Sequence, residues 1–148
     1  MPERLIDIIE KYDMQLFAVA MLVMFCISIT SQTVDQVRKE IHKYDIDSIH
    51  AEIILAQSVL ESGWYRSAWC KDNSNIFGLT KSLDGKRVSQ TFLTWKTCVR
   101  AYYVQIYKRY VASKKKDYYR FLLDLPYAMD TGYIPKVKTL VAKIKDIK

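Results

Sequence analysis

One glutamate, Glu61, stands where its carboxyl group could act as an acid. It follows Gln57 by four residues and Ile54 by seven, so on a helix it shares a face with apolar neighbours rather than lying on a solvated side. Gly63 is a natural helix stop, and a helix that ends there places Glu61 at the negative end of its dipole. Both effects favour the protonated carboxyl, the form that can protonate the leaving oxygen of a glycosidic bond. A role as a cap or an ion-pair partner is the alternative.

The elements that must position Glu61 are mostly helical. Apolar residues at helical spacing predict helices over residues 34–44, 49–62, 95–110, 118–125 and 134–144. Asp47-Ser48 offers an N-terminal cap to the second of these. The period is lost over residues 64–94, where Asp84-Gly85 predicts the tight turn of a hairpin between residues 77–80 and 88–92. The sequence therefore predicts a mainly α (α+β) domain interrupted by one small β element.

The first 34 residues form a different region. No charged residue occurs from Met14 to Val34, and residues 16–29 form an apolar core of about 14 residues. That core is shorter than the ~20 residues of a usual membrane span, although the whole uncharged stretch is long enough to cross a bilayer. We expect residues 1–34 to be a signal peptide or a membrane anchor, with a buried core helix as the alternative.

Composition limits what the rest of the chain can be. With 26% charged and 50% hydrophobic residues the chain is not disordered, and three cysteines in 148 residues cannot make a disulfide-dense scaffold. The net charge is +7 overall, but residues 1–34 hold two basic and four acidic side chains, so residues 35–148 carry +9. Such a domain suits an anionic partner, either cell-wall polymers and membrane headgroups or nucleic acid.

Three stretches share a known pattern of motifs in the same order. They are Ala56-Gln-Ser-Val-Leu-Glu-Ser-Gly-Trp-Tyr-Arg-Ser with Asn75-Ile-Phe-Gly-Leu, Phe92-Leu-Thr-Trp-Lys-Thr-Cys-Val-Arg-Ala-Tyr, and Tyr127-Ala-Met-Asp-Thr-Gly-Tyr-Ile-Pro-Lys-Val. Together they resemble family 73 of the glycoside hydrolases, the bacterial β-N-acetylglucosaminidases. The resemblance implies a lysozyme-like helical domain with a β-hairpin lobe over residues 35–148. It also implies hydrolysis of the β-1,4 bond after N-acetylglucosamine in peptidoglycan.

The resemblance also implies roles for individual residues. Glu61 matches the catalytic general acid, and Tyr133 matches a tyrosine that points into the cleft near that acid. Asn75, Phe77 and Tyr127 match positions that line the sugar site. An amide can bond an acetamido group, and an aromatic ring can stack on a sugar face. Core packing is the alternative for Phe77, and a core or surface position is the alternative for Tyr133.

A second carboxylate is harder to place. Between Ser62 and Lys116 only Asp72 and Asp84 are acidic, and turn formation already accounts for Asp84. Asp84 is the possible second acid, with Asp72 a weaker candidate. Either a poorly placed or mobile acid activates water with inversion, or the acetamido oxygen of the substrate assists the reaction.

The remaining expectations concern partners and location. No histidine or cysteine spacing indicates a metal site, and no motif indicates a cofactor. We expect a monomer of bacterial or phage origin that is exported, either membrane-anchored or periplasmic or extracellular, and acts on peptidoglycan strands. The membrane is a partner through the N-terminal segment, and nucleic acid is not expected. An inactive wall-binding or scaffold protein and a basic nucleic-acid-binding domain are the alternatives. Cys70 and Cys98 could form a disulfide or remain a reduced, buried pair.

Overall fold

The computed structural model describes residues 32–125 and 130–147, so the predicted signal or anchor segment and Tyr127 lie outside the described residues. Within those ranges, no helix combines the length and apolar character needed to cross a membrane. The elements, in chain order, are α1 (Val34–Ile41), α2 (Ser48–Ser62), α3 (Ala68–Asn73), β1 (Thr80–Leu83), β2 (Lys86–Ser89), α4 (Trp95–Tyr102), a π-helical turn (Tyr103–Tyr107), α5 (Lys108–Ser113), α6 (Tyr118–Leu123) and α7 (Tyr133–Ile144).

Helix α2 is the central element of the domain. The Asp47 carboxylate accepts hydrogen bonds from the backbone N–H groups of Ile49 and His50, which caps the start of the helix. Gly63 ends the helix with φ of +57°, a conformation that costs glycine nothing. Residues 53–59 are all buried, so this helix lies in the core rather than on its surface. The predicted bounds of this helix are confirmed.

Helix α7 packs against α2 and is fixed at its C-terminal end by Arg38 of α1. The guanidinium donates to the carbonyl oxygens of Ile144 and Ile147, at 2.8 and 2.7 Å, and pairs with Glu52 at 3.1 Å. A cation at a helix C-terminus satisfies carbonyls that have no partner within the helix. Arg38 therefore joins three helices and helps to hold the helix that begins at Tyr133.

The helix predicted over residues 95–110 is interrupted by a π-helical turn. The turn covers Tyr103–Tyr107, between α4 and α5. A π-helical turn accommodates more residues than an α-helical one, which rotates the following residues relative to those before it. Within the turn, Gln105 pairs with Gln90 through two amide hydrogen bonds of 2.9 and 3.2 Å. This pair links the helix to the strand segment that leaves the hairpin.

The hairpin is shorter than the sequence predicted. Strands β1 and β2 are antiparallel, with Leu83 opposite Lys86, and the turn residues Asp84 and Gly85 both have positive φ, +50° and +74°. This confirms the tight Asp-Gly turn. The predicted strand start at Phe77 is wrong, because residues 75–79 form a separate turn held by the side chain of Asn75. Most strand residues are exposed, so the hairpin contributes little to the core.

The two cysteines of the described region are free thiols. Cys70 and Cys98 are both buried. Burial raises the pKa of Cys98 to about 12 and also raises that of Cys70. The reduced, buried pair is therefore the state found in this structure.

Candidate active site

Glu61 lies in the last turn of α2, and the residue as a whole is exposed to solvent. The carboxyl group nevertheless lies against protein on two sides. A Cβ atom built on Gly78 would be 3.3 Å from Oε2 of Glu61, and Gly78 has φ of +61°. Glycine is therefore favoured at position 78 both by its backbone conformation and by the close approach of the carboxylate. On its other side Glu61 is hydrogen-bonded to the side chain of Tyr133.

The surroundings of Glu61 raise its pKa. Burial of the carboxyl is the larger effect and disfavours the charged form, whereas the hydrogen bond from Tyr133 favours the carboxylate and partly offsets that rise. Solvent still reaches the residue, so the carboxyl combines access from outside with a raised pKa. These are the two properties that a general acid needs.

A chain of buried side chains leads from Glu61 into the core. Nε2 of Gln57 donates to the Tyr133 hydroxyl at 3.0 Å, and Oε1 of Gln57 accepts from the Tyr102 hydroxyl at 2.6 Å. The hydroxyls of Tyr102 and Tyr118 are 2.8 Å apart. Gln57 and the three tyrosines are at most 5% exposed. The structure thus places Tyr133 beside Glu61, with residues from α4 and α6 behind it.

Asn75 and Phe77 have buried side chains, each 1% exposed. Asn75 donates to the carbonyls of Leu79 and Gln90 at 2.9 and 2.8 Å and accepts from the Leu79 N–H at 2.8 Å. Its amide is therefore engaged with backbone, and this geometry does not favour the predicted bond to an acetamido group. The ring of Phe77 packs on Tyr102 with centroids 4.2 Å apart, in agreement with the alternative of a core residue. Both side chains hold the turn that brings Gly78 to Glu61.

Asp130 organises the start of α7, although the motif gave it no role. Its carboxylate accepts from the Gly132 N–H at 2.8 Å and pairs with Lys136 at 2.6 Å, and its carbonyl accepts from the Tyr133 N–H at 2.9 Å. The Lys136 ammonium is the main reason that the pKa of Asp130 is lowered. Asp130 therefore fixes the backbone from which Tyr133 projects.

The two candidates for a second acid are both exposed. Asp72 lies on α3, and Asp84 lies in the turn of the hairpin. Across residues 32–125 and 130–147 there is no group of three side chains that could hold a metal ion.

Sequence reasoning missed Gln57 and Gly78. The spacing of four residues between Gln57 and Glu61 was visible, but it did not reveal that the amide contacts Tyr133, 76 residues away. For Gly78 the signal was a glycine inside a motif, which often marks a close backbone approach.

Comparison with known proteins identifies the family. The sequence profile of the Glucosaminidase family, described as mannosyl-glycoprotein endo-β-N-acetylglucosaminidase, matches residues 34–146. The chain belongs to the glucosaminidase family. This match confirms the resemblance to family 73 of the glycoside hydrolases and includes every described residue of the site.

A solved structure agrees with the glucosaminidase assignment at the level of the fold. The chain is similar to the catalytic domain of the autolysin Auto from Listeria monocytogenes, with a TM-score of 0.54 and 19% sequence identity. The similarity covers 85% of this chain and 94% of the autolysin domain. It confirms the lysozyme-like, mainly helical architecture with a small hairpin. A comparison with curated protein sequences finds no match.

Proposed function

We propose that this glucosaminidase hydrolyses the β-1,4 bond after N-acetylglucosamine in the glycan strands of peptidoglycan, with Glu61 as the general acid. The observation that carries the proposal is the raised pKa of a solvent-accessible Glu61, at the end of a buried helix and within a sequence that belongs to a glycosidase family. The protonated carboxyl gives its proton to the glycosidic oxygen as the bond to the anomeric carbon breaks.

Tyr133 acts with Glu61 in this proposal. Its hydroxyl is hydrogen-bonded to Glu61 and is itself held by Gln57. After proton transfer Glu61 is a carboxylate, and a donated hydrogen bond stabilises that form. Tyr133 therefore favours the state that Glu61 reaches in the transition state.

Two different groups could attack the anomeric carbon of the substrate, which gives two descriptions of the reaction. In the first, Asp84 takes a proton from water, and the water oxygen bonds to the anomeric carbon with inversion. In the second, the acetamido oxygen of the substrate attacks, and water then opens the resulting ring with net retention. The exposed position of Asp84 in the turn favours the second description.

The test uses the full chain, purified in detergent, and purified peptidoglycan. New reducing ends are reduced with borohydride and identified by mass spectrometry. We expect N-acetylglucosaminitol ends from the wild type, and a loss of about 10²- to 10⁴-fold in rate for Glu61→Gln. Glu52→Gln makes the same chemical change on the same helix, in a residue paired with Arg38, and should retain activity.

Each other result has a definite meaning. No lysis by the wild type, or equal lysis by wild type and Glu61→Gln, contradicts the proposal. N-acetylmuramitol ends keep Glu61 as the acid but move the bond that is cleaved. Sedimentation of the chain with peptidoglycan without new reducing ends indicates the alternative of an inactive wall-binding protein.

We also propose that the protein is exported and acts as a monomer at the cell wall, with residues 1–34 as signal peptide or anchor. The absence of charge over residues 14–34 and the +9 charge of residues 35–148 support this location. Fractionation of expressing cells should place the protein with the membrane or outside it, and light scattering should give a monomer. Recovery in the cytosol contradicts export.

A further inference from the structure

We propose that Gln57 is a positioning residue that aims the hydroxyl proton of Tyr133 at Glu61. The geometry is a relay in which Gln57 bonds Tyr102 on one side and Tyr133 on the other, four residues before Glu61 on the same helix. This inference deepens the proposed function, on which its catalytic meaning depends.

The direction of each hydrogen bond follows from the chemistry of the amide. An amide oxygen only accepts and an amide nitrogen only donates. Because Tyr102 lies 2.6 Å from Oε1 of Gln57, it gives its proton to the amide, and in the 2.8 Å contact between the two tyrosines Tyr118 is then the donor. Because Nε2 of Gln57 donates to the Tyr133 oxygen at 3.0 Å, Tyr133 does not give its proton to Gln57 and can donate it to Glu61.

Every step of the relay therefore points toward the carboxyl. The opposite orientation of the Gln57 amide would turn the Tyr133 proton toward Gln57 and leave the carboxylate without that donor. The observed orientation thus stabilises the ionised form of Glu61 against the burial that disfavours it.

Burial makes the relay stiff. Gln57, Tyr102 and Tyr118 are each 1% exposed, so bulk water cannot take the place of a missing partner. The far end is anchored by ring packing, since Tyr118 has its centroid 4.8 Å from Tyr110 and 5.1 Å from His50. The relay joins α2, α4, α6 and α7 behind one carboxyl group.

Among the described residues, Tyr133 faces Glu61 from α7 and the backbone of Gly78 faces it from the turn of residues 75–79. Burial and Tyr133 account for the shift of its pKa, and no charged side chain of the described residues is among the causes. A change in the Tyr133 hydrogen bond should therefore appear directly in the titration of Glu61.

The experiment follows the Glu61 carboxyl carbon by ¹³C NMR as a function of pH in the full chain. Gln57→Glu offers Tyr133 an acceptor in place of a donor, so the Tyr133 proton can turn away from Glu61 and the titration midpoint should rise by about one pH unit, the value of one hydrogen bond to a charged group. Gln57→Met keeps the length of the side chain and removes both hydrogen bonds without offering an acceptor, so Tyr133 can still donate to Glu61 and the midpoint should rise less than in Gln57→Glu. Tyr65→Phe is the matched control, since its hydroxyl bonds Ser58 outside the relay.

A double-variant cycle separates positioning from a general structural effect. If Gln57 acts through Tyr133, Gln57→Glu should raise the midpoint much less once Tyr133 is already Phe. An unchanged midpoint in Gln57→Glu, or an equal rise in the Tyr133→Phe background, overturns the proposal. Should Gln57→Glu fail to fold, Gln57→Met in both backgrounds gives the same comparison with a smaller expected rise.

The titration is independent of activity, so its failure can be told from failure of the proposed function. A wild type that does not cleave peptidoglycan contradicts the glycosidase, whatever the midpoints are. In an active enzyme, the alkaline limb of the kcat/KM profile should move upward in Gln57→Glu with the NMR midpoint. An alkaline limb that stays in place while the midpoint moves shows that Gln57 has no part in the reaction and contradicts the catalytic role.

Discussion

Glu61 lies between two regions that are built in different ways. On the helical side, buried side chains supply the contacts, and the relay from Tyr118 to Tyr133 ends at the carboxyl. On the hairpin side, backbone supplies the contact, since Gly78 approaches Glu61 and the strands beyond it are mostly exposed. The comparison indicates that the acid is fixed by the core, whereas the hairpin contributes shape. Three variants on the hairpin side test this comparison.

The largest effect should come from Asn75→Ala. The substitution removes the Asn75 partner of the Leu79 N–H and of the Gln90 carbonyl in a largely buried site, and it leaves the Leu79 carbonyl with the Gln90 N–H alone. We expect the free energy of unfolding to fall by about 3 kcal/mol, measured by urea denaturation. Asn73→Ala removes an amide whose hydrogen bonds are exposed, so it should cost about 0.5 to 1 kcal/mol. Equal losses would mean that Asn75 does not hold the hairpin side together.

Gly78→Ala should affect activity more than its modest cost in stability suggests. A Cβ at position 78 would lie 3.3 Å from Oε2 of Glu61 and displace the carboxyl by a few tenths of an ångström. We expect kcat/KM for peptidoglycan to fall by about tenfold, and the positive φ to cost about 1 kcal/mol of stability.

Gly85→Ala is the matched control for that substitution. Gly85 has φ of +74°, but a Cβ there meets nothing within 4 Å. The backbone strain is therefore similar, while Glu61 is not approached. A comparable loss of activity in both variants would show that strain in the hairpin lobe, and not contact with the acid, is responsible.

The sequence predicted the features that are set by residues close together in the chain. Asp47 and Gly63 gave the bounds of α2 because caps act within one turn, and Asp84-Gly85 gave the tight turn for the same reason. The position of Glu61 near the end of that helix followed directly. These predictions needed no knowledge of distant contacts.

The features that could not be predicted from the sequence depend on contacts between residues that are far apart in the chain. Gln57 meets Tyr102 and Tyr133 across 45 and 76 residues, and apolar periodicity carries no information on such contacts. A motif likewise places Asn75 near the site but does not say which way its amide points. The π-helical turn was missed because an aromatic-rich stretch of five residues fits an α-helical period almost as well.

The smallest effect should come from Asp84→Asn. Asparagine adopts positive φ about as readily as aspartate, so we expect the hairpin to form and the free energy of unfolding to change by about 0.5 kcal/mol or less. Hydrolysis should stay within about threefold of the wild type if the acetamido oxygen of the substrate is the attacking group. The same carboxyl-to-amide change in Glu61→Gln, on the helical side, should cost about 10²- to 10⁴-fold.

The stereochemistry of the product gives an independent check on Asp84. Substrate assistance gives net retention at the anomeric carbon, whereas a water activated by Asp84 gives inversion, and ¹H NMR of the fresh product distinguishes the two anomers. If the anomeric configuration is retained and Asp84→Asn is active, the carboxylate that the reaction requires lies on the helical side. Inversion together with a loss of about 10²-fold or more in Asp84→Asn would make the hairpin a source of catalytic chemistry as well as of shape.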